Sequence, residues 1–397
     1  RRRRPPELGE PEPLSLRVDP DPASRVPELL KALKSELPEG DAPAAIFFTS
    51  GSTGEPKGVT LSHTNLLANA RSITQYFGVT RNERALGLLP FYHAFGNSVL
   101  QTHLLAGATV VVAGSLTFPQ TILEAINGHE VSSLSGVPDL FRTLLDRTSF
   151  GSVELPTLRY LAVAGGRLDP DQALVLAAKA APAKLFIMYG QTEATARLSY
   201  LPPELIEEKF GSIGKGIPGV ELQVVDEADR PVPPGVVGEL RGRGPNVMLG
   251  YWRDPEGTAA VLRNGWLYTG DLATVDADGF VYPQGRRSGL VKIAGFRVHP
   301  SELEDFVRRE ADLLEVVAIP YEAPGLGTRF ALFVQPWEGE TAVTADEIRA
   351  LCTRGLPRHK IPEHVEVLDR FPLNDAYKID RVVLRRRAER AAVSGPK

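Results

Sequence analysis

The sequence predicts an α/β fold in which a parallel sheet layered with helices is followed by a β-rich subdomain and a small C-terminal α+β domain. Three observations carry this expectation. Apolar runs of strand length at residues 44–48, 109–113, 159–163 and 184–188 alternate with helical patterns, as a parallel sheet with helices on its faces requires. After Pro202 the pattern changes to short strands at 220–225, 237–241 and 266–269 and a turn at 276–279, which reads as β-rich. Beyond Gly285 short strands mix with two helical patterns, 301–310 and 345–351, over a length that suits a small α+β domain.

A chain of 397 residues is longer than one hydrophobic core usually supports, so two or more domains are expected. Residues 1–40 are rich in Pro, Glu and Arg and hold one short helical pattern near 26–37, so they read as a tail. The large folded unit then spans 41–284, with its β-rich part at about 203–284. Residues 285–289 are the expected hinge, and 290–397 the small domain. One helix shows the local logic. Ser62 is placed to cap it, Leu66, Leu67, Ala70, Ile73 and Phe77 recur at helical spacing, and Gly78 ends it.

Composition excludes several classes. A hydrophobic fraction of 43% with 24% charged residues is that of an ordinary folded chain. A net charge of -4 supplies no field that would gather nucleic acid. Cys352 is the only cysteine, which rules out an internal disulfide framework and a CxxC zinc cluster and fits a reducing, cytoplasmic setting. The longest apolar stretch, 104–113, is about half the roughly 20 residues that span a membrane, so no span is expected. Arg1 to Arg4 lead into Pro and Glu, not into a signal core, and read as solvated charges. The chain does not begin with Met, and a fragment or processed form is therefore expected.

The sharpest chemical signal is Phe48-Thr49-Ser50-Gly51-Ser52-Thr53-Gly54-Glu55-Pro56-Lys57-Gly58, directly after what reads as the first strand of the sheet. Glycines let backbone N–H groups turn towards an anion, four hydroxyls add donors and Lys57 adds a point charge, a set suited to polyphosphate. It is not a Walker A loop, because Pro56 and Gly58 flank the lysine. Residues 214–219 satisfy GxGxxG but contain Pro218 and precede a strand, which is wrong for a dinucleotide fold. No GxSxG elbow and no HExxH helix occurs among the seven histidines.

The loop resembles the signature phosphate loop of the adenylate-forming superfamily, which includes acyl-CoA synthetases, luciferases and the adenylation domains of peptide synthetases. Further matches follow in the family's order: Phe91-Tyr92-His93-Ala94-Phe95-Gly96, Ala164-Gly165-Gly166, Tyr189-Gly190-Gln191-Thr192-Glu193, Tyr268-Thr269-Gly270-Asp271, Gly285-Arg286-Arg287, Lys292 with Gly295, and residues 373–381 around Lys378. The resemblance implies roles that make physical sense. Thr49, Ser50, Gly51, Ser52, Thr53, Gly54 and Lys57 cradle the phosphates of ATP. Thr192 donates to the α-phosphate and Glu193 holds Mg²⁺, which prefers hard oxygen ligands. Tyr189 and Gly190 with the Gly165-Gly166 pair enclose adenine. Asp271 accepts from the ribose hydroxyls with help from Arg286, and Lys292 belongs to the same nucleotide set. His93 gates the acid pocket, whose walls include Gln101, Gly136 and residues 164–166. Lys378 bridges the acid carboxylate and α-phosphate and stabilises the charge of in-line attack.

Three departures qualify the match. Tyr377 replaces the glycine that precedes the family's catalytic lysine, and a residue with a Cβ resists positive φ. Ser288-Gly289 stands where the family has Asp or Lys at its hinge; a pivot needs soft φ/ψ and no particular charge. Only 48 residues precede Thr49, where the family has a further N-terminal subdomain. Residues 1–40 are then its remnant, and either the chain is truncated or the subdomain comes from elsewhere.

The implied activity is an ATP-dependent acid-thiol ligase, an AMP-forming acyl-CoA ligase of fatty acid metabolism. A carboxylic acid, fatty or aryl, and MgATP give acyl-AMP and pyrophosphate, and the acyl group passes to coenzyme A. Tyr92-His93-Ala94 stands where amino-acid-activating relatives use Asp, and without that carboxylate an α-ammonium would be buried unpaired. Two alternatives stay open: loading of a carrier protein's phosphopantetheine thiol, and an inactive nucleotide-binding relative.

Overall fold

The computed structural model describes residues 40–50, 56–289, 291–293, 295–323, 327–337, 343–373 and 379–394. At its centre is a seven-stranded sheet. Its spatial order is Thr109–Val111, Arg84–Leu86, Ser133–Gly136, Tyr160–Val163, Lys184–Tyr189, Ser199–Leu201 and Lys215–Gly216. The first five strands are parallel and the last two antiparallel. Successive strand residues alternate between faces, and here both faces are buried, as parallel sheets require. Leu161, Val163 and Leu185 face a core built with helices Gln120–Gly128, Pro138–Arg147 and Pro170–Ala180. Tyr160, Ala162, Phe186 and Met188 face Ile73 and Phe77 of helix His63–Phe77. Truncating the fully buried Leu161 to Ala is expected to cost about 2–5 kcal/mol.

Helix His63–Phe77 forms as its local signals dictate. The Ser62 side chain accepts from Asn65 N–H, Asn65 reciprocates in a capping box, and Gly78 closes the helix at φ 62°. Its buried face, however, includes Asn65, Asn69 and Ser72, while Leu67 is exposed.

The run at 44–48 does not open the parallel sheet. Strand Pro43–Ser50 pairs antiparallel with Pro56–Ser62, and Gly250–Tyr251 adds a third strand. The phosphate-loop segment therefore connects the two arms of a hairpin, with Thr49 opposite Lys57. The second arm buries Val59 and Leu61 completely, beside Phe47 and Met248. This pairing satisfies the extended backbone within a small separate layer.

The β-rich part contains a sheet of Glu221–Val225, Gly238–Arg243, Trp266–Val275 and Leu262–Arg263, with Val281–Arg286 paired to Trp266–Val275. Farther on, Glu315–Ala323 and Gly327–Gln335 pair antiparallel, and His364–Val367 joins in parallel. Helices Pro300–Glu310 and Ala345–Gly355 contribute Leu303, Val307, Ile348 and Cys352 to one core of this region. A third helix, Arg381–Ser394, is additional to the two that periodicity indicates. Its arginines mask a narrow stripe of Leu384 and Ala388, both fully buried beside Val317, Ile319 and Phe333. Among the described residues no helix is long and apolar enough to cross a membrane.

Among the described residues, ion pairs join this last region to helix Pro138–Arg147 and to the segment that leads into helix Pro170–Ala180. Glu315 bridges Arg142 of Pro138–Arg147 at 3.0 Å and Arg308 at 2.8 Å. Arg167 meets Asp305 at 2.9 Å. Near residues 285–289, the ring of His299 lies where a Cβ on Gly285 would fall, 2.2 Å from its Cε1, and Gly285 has φ 114°. Glycine is the residue that tolerates both conditions.

Candidate active site

Four sequence motifs follow four of the parallel strands at their C-terminal ends. His93 comes after Arg84–Leu86, Gly136 ends Ser133–Gly136, Gly165 and Gly166 come after Tyr160–Val163, and Tyr189 ends Lys184–Tyr189. The crevice outside the carboxyl ends of parallel strands is where open α/β sheets bind ligands. Gly165 and Gly166 are exposed there. His93 occupies the N-cap position of helix Ala94–Leu105, with its ring 4.4 Å from that of Tyr92. Phe95 is the second residue of that helix, and a Cβ on Gly165 would sit 3.8 Å from its Cδ1.

After Tyr189 the chain makes a tight excursion before returning as Ser199–Leu201. Gly190 permits it: a Cβ there would stand 2.1 Å from the Ala196 carbonyl oxygen, inside any real contact. Thr192–Ala194 is a short 3₁₀ turn, and Thr195 and Ala196 take φ 54° and 89°, values uncommon for residues with a Cβ. Buried Asn246 holds this shape. Its Nδ2 donates to Ala194 O at 3.2 Å and Arg197 O at 2.6 Å, and its own carbonyl accepts from Thr195 Oγ1 at 2.6 Å. Met248 N–H donates to Glu193 O at 2.9 Å.

The predicted nucleotide residues fall into two groups on this frame. Tyr189 Oη donates to Asp271 Oδ2 at 2.5 Å, and Arg286 Nε lies 3.1 Å from Asp271 Oδ1. Asp271 and Arg286 are direct cross-strand partners, which fixes this pair by register. Burial, reinforced by the Asp271 carboxylate, pushes the Tyr189 phenol well above its usual range, so it remains a donor. In the second group Tyr251 Oη donates to Glu193 Oε1 at 2.8 Å. Lys57 Nζ sits 4.6 Å above the Tyr251 ring centroid and 3.7 Å from Asp254 Oδ2. The Tyr251 phenol is also raised, by burial first and by Glu193 next.

Glu193 Oε2 accepts no hydrogen bond among the described residues. That donor set fits Mg²⁺, which is commonly bound by one or two carboxylates plus substrate phosphates. Among the described residues no cluster of three or more metal-ligating side chains exists, so the remaining ligands would be nucleotide and water. Thr192 stands half-buried next to Glu193, and Thr49 half-buried opposite Lys57. Ser50 ends the same strand. Gly51, Ser52, Thr53, Gly54 and Lys378 lie outside the described residues. Lys292 is exposed on the hairpin Val291–Ile293/Phe296–Val298, opposite Arg297. No contact between Lys292 and Tyr189, Glu193 or Asp271 is found among the described residues.

Tyr251, Asp254, Asn246 and Arg197 are site residues that pattern reading does not reveal. Tyr251 and Asp254 follow Gly250 in a segment with no strong periodicity, and Asn246 and Arg197 act from positions that look like ordinary polar residues.

Tyr189, linked to Asp271 and Arg286, thus ends a central parallel strand of an α/β sheet, and Glu193, four residues on, is joined through Tyr251 to the Lys57–Asp254 pair. Residues 6–252 match the AMP-binding enzyme family, and the chain belongs to that family. A long-chain-fatty-acid–CoA ligase of Escherichia coli O6:H1 is 33% identical over 363 residues, 90% of this chain and 63% of that ligase. A feruloyl-CoA synthase of an Amycolatopsis species is 34% identical over 357 residues, 89% of this chain and 71% of its own. Among solved structures, the Bacillus subtilis o-succinylbenzoate CoA synthetase in complex with its acyl-adenylate intermediate superposes with a TM-score of 0.77 at 32% identity. That match covers 87% of this chain and 70% of the synthetase. The chain thus spans less than two thirds of the length of the E. coli ligase.

Proposed function

We propose that the chain activates a carboxylic acid as its adenylate and transfers the acyl group to a thiol, that of coenzyme A. The observation that supports this best is the linked set Tyr189–Asp271–Arg286 beside Glu193 at the open ends of the parallel strands. It offers an aromatic edge for adenine, a carboxylate with lone pairs left for ribose hydroxyls, and a half-buried carboxylate for the phosphates' cation.

In the first step an acid oxygen attacks the α-phosphorus of ATP. The bond from that phosphorus to the bridging oxygen breaks, and pyrophosphate leaves. Thr192 and the donors around Lys57 hold the phosphates, and Lys378 is assigned the developing charge between carboxylate and phosphate. Glu193 would hold Mg²⁺, which when bound would supply charge neutralisation on the phosphates. In the second step the thiol sulfur attacks the acyl carbon, its proton goes to solvent and AMP leaves. Tyr189 and Asp271 keep the nucleoside fixed through both steps. Residues 290–397 are proposed to turn about 285–289 between the steps, releasing the Glu315 and Arg167 contacts.

The test is pyrophosphate release by the purified chain with MgATP and a panel of fatty, aryl and dicarboxylic acids, beside Lys378→Ala, with CoA present or absent. Acid-dependent release that Lys378→Ala lowers by about 10²-fold or more and that yields a CoA thioester is the expected result. Release that CoA leaves unstimulated, with the acyl group passing to a phosphopantetheinylated carrier, would move the acceptor to a protein. ATP binding with no release for any acid would overturn the ligase reading.

A further inference from the structure

We propose that the acid taken at this site carries a second anionic group, and that Arg197 receives it; the inference rests on the acid-activating reading above. Arg197 is only 2% exposed. Its Nε donates to the Met188 thioether at 3.2 Å and its Nη1 to the Ala196 carbonyl at 3.1 Å. The Tyr76 hydroxyl is a further partner, and the guanidinium carbon lies 4.1 Å from the Phe95 ring centroid. A guanidinium has five N–H donors, and a thioether is a weak acceptor. No carboxylate among the described residues pairs with it.

Two other cations, half-buried Arg308 and buried Lys209, do meet carboxylates. Arg308 meets Glu315 and Lys209 meets Asp276 and Asp278. Arg241, 8% exposed, likewise lacks a carboxylate and reaches neutral oxygens, those of Tyr268 and Gln223, but has no thioether among its acceptors. Buried charges are normally paired, so Arg197 has the electrostatics of a receptor in want of an anion.

Its location points the same way. Phe95, against which the guanidinium packs, also borders Gly165 at the exposed edge of the cleft. A single aromatic ring therefore separates the charge from the place where the adenylate is proposed to form. The polar character continues between the two helices that meet there. Asn69, Ser72 and Tyr76 share one face of His63–Phe77, as positions three and seven apart do on a helix. Phe95 and Thr102 share one face of Ala94–Leu105, which packs against it. Both polar atoms of Asn69 and the hydroxyls of Ser72 and Thr102 are buried without a hydrogen-bond partner. A plain hydrocarbon tail laid along this seam would leave all of them unsatisfied. A tail ending in a carboxylate would place its charge at Arg197 and its spare lone pairs within reach of such donors.

The experiment is calorimetric binding to the full chain, in the presence of a non-hydrolysable ATP analogue, of succinate, adipate and suberate against butyrate, hexanoate and octanoate. Wild type is compared with Arg197→Met and Arg197→Lys. At least one diacid is expected to bind roughly tenfold or more tightly than the monoacid of equal length. Arg197→Met should erase that ratio, and Arg197→Lys should keep part of it. Met retains the packing against Phe95 and removes a buried charge, so its melting temperature should equal or exceed that of wild type; a purely structural arginine would lower it. Equal binding of diacid and monoacid, absence of diacid binding, or a ratio that Arg197→Met leaves intact would each overturn the proposal. If the Met variant does not fold, the wild-type and Lys ratios decide alone. Pyrophosphate release, read in parallel, separates the two claims: diacid binding without release would sink the ligase reading and leave the charge preference standing.

Discussion

Asn246 is where the site depends most on a residue that touches no substrate. Its amide supplies two donors to the carbonyls of Ala194 and Arg197, and its main chain receives the Thr195 hydroxyl. Asn246→Ala leaves two buried carbonyls without those donors, at about 1–3 kcal/mol each. Thr195 and Ala196, held at positive φ, are strained by about 1–3 kcal/mol each, so the loop has a ready route to relax. Relaxation limits the loss of global stability to about 2–4 kcal/mol but shifts Thr192 and Glu193 with it. Each 1.4 kcal/mol by which the native loop is disfavoured lowers its population about tenfold. We therefore expect kcat/KM for ATP to fall by at least about tenfold. The urea midpoint should also fall. Asn246→Asp keeps the shape, loses both donors and turns a carboxylate towards two carbonyls; it should fall with Ala. Pyrophosphate release and urea unfolding read the two effects separately. Wild-type kcat/KM and an unchanged midpoint in both variants would refute the assignment of Asn246 as the brace of this loop.

Gly190→Ala places a Cβ 2.1 Å from Ala196 O and 2.7 Å from Arg197 Cα, both backbone atoms that cannot turn aside. Overpacking of this kind costs about 1–3 kcal/mol; a fluorescence titration should show ATP affinity reduced, and unaltered affinity would contradict the close approach. Burial works to raise the Glu315 carboxyl, but the Arg142 and Arg308 guanidiniums beside it hold it below its usual range. A carboxyl with a depressed folded pKa stabilises the fold above its unfolded pKa of roughly 4.3 and loses that contribution as pH falls through the folded value. The urea midpoint of wild type should thus decline below about pH 4 more steeply than that of Glu315→Gln, and parallel curves would show that the contact bears no weight.

The elements legible in the sequence are those whose causes are local. Ser62, the helical spacing that follows and Gly78 specify His63–Phe77 without reference to the rest of the chain, and its caps form as written. The hairpin Pro43–Ser50/Pro56–Ser62 was not legible, because an isolated apolar run cannot announce whether its neighbour is a parallel strand or the returning arm of a turn. Helix Arg381–Ser394 was hidden by its arginines, since among the described side chains only Leu384 and Ala388 are fully buried along it. For the site, the residues at strand ends follow from motif order, and register then joins Asp271 to Arg286. Asn246, Tyr251 and Arg197 could not be read in that way. Their roles arise from contacts across 49 to 58 positions of sequence for Asn246 and Tyr251, and from burial for Arg197.

That same loop places the two halves of the proposed reaction on one short piece of backbone. Glu193 turns towards Tyr251, on the proposed nucleotide side, while Arg197 turns towards Phe95 and Met188, on the proposed acid side. Asn246 clamps the carbonyl of Arg197 and that of Ala194, directly after Glu193, with a single amide group. A displacement of Arg197 therefore reaches Glu193 through backbone whose torsions are already far from their easiest values. An acid whose far end displaces Arg197 would shift Thr192 and Glu193 with it, away from the phosphates. Discrimination between acids then belongs in kcat as well as KM, because the ill-fitting acid loses interactions made at the reacting phosphorus and not only at its own tail.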